Sequence, residues 1–130
     1  MSVYSRLLRA AEERLDEIVQ MADACVQEGG KRPEESQLRN LVNLAAETES
    51  VAVLDNYIRY QSSRSSPPIP RKFGEQILKD LEKLKQMARE IVQGKVDPES
   101  PEGRRLRMHL IRMYLGFLAR SAIATEKGRG

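Results

Sequence analysis

The stretch "LIRMYLGFLARSAIA", residues 110–124, decides how this chain is read. A helix at a protein surface is apolar along one stripe, but here apolar side chains fall on nearly every side of the helix these residues would form. Such a helix has to be covered on several sides, either as the centre of a bundle or against a second chain. We place it over about residues 102–125, and residues 126–130, "EKGRG", are expected to be a disordered tail.

Working outward, the preceding segments supply the cover. Phe73, Ile77, Leu78, Leu81, Leu84, Ala88 and Ile91 recur at three- and four-residue steps, which predicts a helix over about 71–93. Leu38, Leu41, Val42 and Ala45 form a stripe that "AETES" interrupts, and Val51, Leu54, Tyr57 and Ile58 resume it. Two helices, 35–47 and 50–63, account for this pattern. The N-terminal stripe of Leu7, Leu8, Ala11, Leu15, Ile18, Val19, Ala22 and Val26 predicts one long helix from Ser2 to about Gln27, ended by Gly29-Gly30. The expectation is an all-α fold: a compact bundle of four to five helices forming a single domain over residues 1–125.

Composition agrees. Aromatic residues make up 5% of the chain and charged residues 32%, and Ala, Leu, Glu, Arg and Lys dominate, which favours helix over strand. A single cysteine, Cys25, excludes an internal disulfide and fits a reducing cytoplasm. The charged first turns do not read as a signal peptide, and no apolar run approaches the ~18 residues of a membrane span. A cytoplasmic location is therefore expected. Net charge is only +3, but it is segregated: residues 104–130 carry +6, residues 31–72 carry +2, and the remaining segments are acidic. Segregation of this kind points to a polyanion, or to a helix surface that is simply rich in arginine.

Catalytic and cofactor chemistry find little purchase. One His and one Cys cannot build a zinc site, no phosphate-binding glycine loop is present, and no metal or cofactor is expected. Cys25 sits by the first apolar stripe and reads as a small buried hydrophobe. Acidic pairs such as Glu12-Glu13 read as solvated surface. "RRLRMH" places Arg104 five residues before His109 and resembles the R-x4-H signature of the HEPN ribonucleases, in which His and Arg of two protomers meet in a cleft. The residue after Arg104 is Arg105, whereas that family usually carries a polar Asn, Asp or His there. The main expectation is a protein that is not an enzyme.

A different resemblance covers most of the chain. "ESQLRN" carries Ser36, Leu38 and Arg39 in an S-x-L-R pattern at a helix start. "YQSSR" places Tyr60 and Arg64 in a Y-x-x-x-R pattern at a helix end, and "PRKFGEQIL" opens the next helix with Phe73. "MYLGFLARSA" follows as a final aromatic-containing helix. In this order and spacing, over residues 36–123, the chain resembles the small helical subunit of the type III-A CRISPR effector, the Csm complex. It departs from that family at Gly116, where an acidic residue is common, and at Arg120, near which an aromatic or His is common.

The resemblance implies a non-catalytic, RNA-binding part of a ribonucleoprotein in antiviral defence. Copies would stack in a filament beside other subunits and hold guide RNA and target RNA, with self-association and no membrane partner. Because any target has to be accepted, such a subunit reads phosphates rather than base edges, and arginine forks suit that task. The expected contacts are Arg39 and Arg64 from the matched motifs, then Arg59, Arg71 and Lys72 around the serine–proline loop "RYQSSRSSPPIPRK", with Arg104, Arg105, Arg107 and Arg112 as a second surface. Arg39 and Arg59 also stand at helix spacing from Glu35 and Asp55. Tyr60, Met108, Met113 and Phe117 are expected in the core or at a subunit interface. A HEPN-type metal-independent ribonuclease and a helical protein–protein adaptor are the competing functions.

Overall fold

Helix α6 runs from Pro101 to Arg129 and is the axis of the molecule. The computed structural model describes residues 2–129, with side chains to residue 125. The tail expected over 126–130 thus falls on side chains outside the described residues. α6 starts cleanly because Ser100 accepts from the Gly103 amide at 3.1 Å while Pro101 fills a position that needs no amide donor. Leu106, Leu110, Tyr114, Leu118 and Ala122 are buried on one side, and Met108, Ile111, Leu115 and Ala119 on others. The all-round apolar pattern is satisfied within one chain.

Three helices flank it. α2 (Leu15–Glu28) runs alongside in the same direction, and Ser121 of α6 donates to Asp23. α3 (Glu35–Glu47) runs the opposite way, as does α5 (Arg71–Val92). α4 (Val51–Ser63) packs on α5 and α3, with Tyr57 donating to Gln37 at 2.9 Å. α1 (Val3–Glu12) lies against α6 and α5. The architecture is an all-helical bundle. It has six helices among the described residues, not the expected four to five.

The extra helix comes from the N-terminal segment, which is broken where one continuous helix was expected. The break falls at Glu13-Arg14, with Arg14 at φ −110° and ψ 10°. Its guanidinium donates to Glu17 at 2.9 Å and to Glu90 of α5 at 2.8 Å, holding the corner from outside the helix. The apolar period continues through this corner, so the local pattern does not show it, and the corner carries a contact to a residue 76 positions away.

Other boundaries follow local chemistry. Gly30 ends α2 at φ +77°, a conformation glycine takes without a side-chain clash. α4 is capped by Ser50, which accepts from Val53. The serine–proline loop does not hang free: Ile69 is fully buried and packs near Gly74, where α5 crosses close to Ser62.

Among the described residues, the core contains one buried charge-bearing group. Asp80 is 1% exposed, and it accepts from the Tyr114 hydroxyl at 2.6 Å and from Gln76 at 3.1 Å. Burial pushes the Asp80 carboxyl upward, against the opposing pull of its two hydrogen bonds. Cys25 is fully buried beside Tyr114, as expected, and burial pushes its thiol up to about 12.

Candidate nucleic-acid interface

Lys85 and Arg89 stand four apart on α5, and Arg104 and Arg107 three apart on α6, so each pair shares a face of its helix. The two helices are antiparallel, which brings the pairs together across a shallow groove closed at one end by the start of α4. The groove has a volume of about 670 Å³, and Glu49 and Glu99 are its acidic lining residues. Four cations against Glu49, Glu99 and the Glu82 that pairs with Lys85 leave a small positive excess. The first amides of α4, at Val51 and Ala52, lie at the positive end of the helix dipole and add to this.

The groove's cations are only partly engaged. Lys85 pairs with Glu82 at 2.9 Å, and Arg107 with Glu99 at 3.0 Å. Arg104 donates to the Glu99 carbonyl at 3.1 Å. Arg89 forms no ion pair among the described residues, and the buried Nε of Arg107 has no hydrogen-bond partner there. Arginine forks with free donors in a concave positive surface are suited to phosphate oxygens.

At the other end of α4 and α5 lie Arg59, Arg64, Arg71 and Lys72, all exposed and none in an ion pair among the described residues. Arg64 donates to Gln61 at 3.1 Å, and its guanidinium sits 6.0 Å from the centre of the Tyr60 ring. The Lys72 methylenes lie against Gly30, which places that ammonium over the α2–α3 turn. Burial raises the Asp55 carboxyl, opposed by the nearby charges of Lys85 and then Arg59. Arg39 is 68% exposed and pairs with Glu35, the partner its spacing suggests. Arg39 lies apart from these four, on α3, where it shares a surface depression with Gly116 and Arg120 of α6.

The arginines of α6 divide. Arg104 and Arg107 face the groove, whereas Arg105 stacks on Tyr4, its guanidinium 4.0 Å from the ring centre. Arg112 turns inward, donating from Nε to the Ala45 carbonyl at 2.8 Å and from Nη2 to the Thr48 carbonyl at 2.9 Å. These carbonyls belong to the C-terminus of α3, which lacks intrahelical partners for them. Arg112 thus serves as a C-cap supplied by another helix.

His109 is half-buried beside Arg105 and Arg112. Burial, and then the Arg112 charge, hold its imidazole below the usual range, with Arg105 acting the same way and Glu12 opposing. Arg104, its R-x4-H partner in sequence, is not its neighbour within the chain. Five residues turn a helix through roughly 140° beyond a full circle, and Arg104 faces the groove. Among the described residues no three His, Cys, Asp or Glu side chains converge as metal ligands would, and no helix is long and apolar enough to cross a membrane.

Two features escaped sequence reasoning. Lys85 and Arg89 were not expected to face a site, because their own helix gives no sign that α6 brings two more cations opposite. Tyr60 is 61% exposed and not in the core, since the stripe of α4 turns on Leu54 and Ile58 and leaves Tyr60 on the far side. Met108 is fully buried, while Met113 and Phe117 are half-buried at the edge of the core. Comparison with protein-family models, curated proteins and solved structures found no match.

Proposed function

We propose that the chain is a non-catalytic, RNA-binding structural subunit that holds RNA through its phosphates, independent of sequence. Its resemblance to the small subunit of type III CRISPR effectors supports a place within such a ribonucleoprotein, beside guide RNA and target RNA. The observation that carries the RNA-binding reading is the groove between α4, α5 and α6, where Lys85, Arg89, Arg104 and Arg107 converge and the exposed Arg89 is held in no ion pair among the described residues. A surface built to meet any polynucleotide needs fixed cations rather than base-reading pockets.

The test is binding of labelled RNA by the full chain as salt is varied. Counterion release predicts a steep, linear fall of log affinity with log salt. Arg89→Ala combined with Arg104→Ala removes two phosphate contacts, and should reduce that slope by about 1.4 for a single strand. RNA binding that is absent at low salt, or indifferent to salt, overturns the reading. Binding of an acidic protein with no RNA binding would establish the adaptor function instead.

A further inference from the structure

Tyr60 is the most exposed large hydrophobic side chain of the described residues, at 61% against 44% for Val3 and 43% for Val53. A single exposed ring is ordinary, but the surroundings of this one are not. Ala52, Asn56 and Tyr60 stand four apart and are all exposed, so they form one ridge along α4. Arg64, the exposed residue that ends the helix, continues the same spacing. The ridge begins in the cationic groove, which Ala52 helps to line, and ends at the loop that leads into Arg71 and Lys72, the first residues of α5. At ~1.5 Å per residue, Tyr60 lies roughly 12 Å along α4 from the groove.

A chain molecule with a charged backbone that leaves the groove along this ridge passes over Tyr60 before it reaches the loop cations. The Arg64 guanidinium approaches one face of the ring. A ring has two faces, and an aromatic face flanked by cations is the arrangement that stacks a nucleobase while its phosphate is neutralised. A base inside a duplex has both faces covered by its neighbours and cannot use such a platform.

We infer that Tyr60, with Arg64 against its ring, is a stacking platform for an unpaired base, so the RNA is single-stranded where it crosses α4. This rests on the RNA-binding reading given above and adds to it the form of RNA bound at this surface.

The experiment uses the full chain with a short labelled oligonucleotide, either single-stranded or annealed to its complement. Tyr60→Ala should weaken single-strand binding about tenfold while leaving duplex binding and the salt slope unchanged. Tyr60→Phe should bind like the wild type. The protein contains no tryptophan, so Tyr60→Trp places a lone tryptophan at the platform, and its emission, excited selectively over tyrosine, should be quenched by the single strand but not by the duplex. Equal losses for both RNA forms, an unquenched tryptophan, or a Phe variant as weak as Ala would each overturn the platform while RNA binding by the wild type stands. A wild type that binds neither form removes the RNA-binding reading itself, a result distinct from failure of the platform.

Discussion

At the centre of the bundle, Tyr114 donates to Asp80 across 2.6 Å, Gln76 completes the carboxylate's shell, and water has no access. Further along the same α5 helix, Lys85 and Arg89 face an open groove in which Arg89 is unpaired among the described residues and Arg107 keeps a buried donor without a partner. At this interior site the carboxylate is completed by one partner from α6 and one from its own helix. The groove collects charge without completing it. Removing a member of the first kind leaves a buried group stranded, whereas removing one of the second leaves the fold intact and changes what the surface can hold.

The largest expected effect breaks the interior. Asp80→Ala strands the Tyr114 hydroxyl and the Gln76 amide and opens a small cavity, so denaturant unfolding should show a loss of about 2–4 kcal/mol. Asp80→Asn sharpens the point through pH. The folded-state pKa of Asp80 is raised, so its contribution to stability is full below the ordinary aspartate value of about 3.9 and is lost as pH rises through the folded value. The Asn variant lacks this dependence. Its stability relative to wild type should improve as pH climbs from about 4 towards neutrality, and a constant difference would show that burial does not govern this carboxyl.

Arg112 is intermediate, a cation on the groove's own helix that has been drawn into structure. Arg112→Ala frees the Ala45 and Thr48 carbonyls and should cost about 1.5–3 kcal/mol, with Lys restoring little because one ammonium cannot reproduce the fork. The smallest effect on stability belongs to the groove. Arg89→Ala should unfold within about 0.5 kcal/mol of wild type, whereas the double variant with Arg104→Ala should show the shallower salt dependence of RNA binding proposed above. A marked destabilisation by Arg89→Ala alone would erase the contrast between the two regions.

Much of this architecture is legible in the chain. Residues 110–124 announce a helix that has to be surrounded, and "AETES" marks the α3–α4 break that Ser50 then caps. The corner at Arg14 is silent because the apolar period runs through it and its anchor, Glu90, lies on another helix. Asp80 did carry a local signal. It lies three residues after Ile77 and four before Leu84, on the apolar stripe, where a charged residue has to find partners. The loop cations could be gathered from sequence because they are neighbours in the chain. The groove could not, since half of it comes from α5 and half from α6.

Ile69 gives the serine–proline loop a consequence of its own. A proline-rich connector that plugs its one large apolar side chain into the core is a stiff bracket, with Arg64 at its start and Arg71 and Lys72 on the first turn of the helix that it leads into. A polyanion arriving there meets a surface already arranged, and little conformational freedom remains to be surrendered on contact. The same rigidity should deny proteases a foothold in a segment whose composition alone would advertise an easy cut.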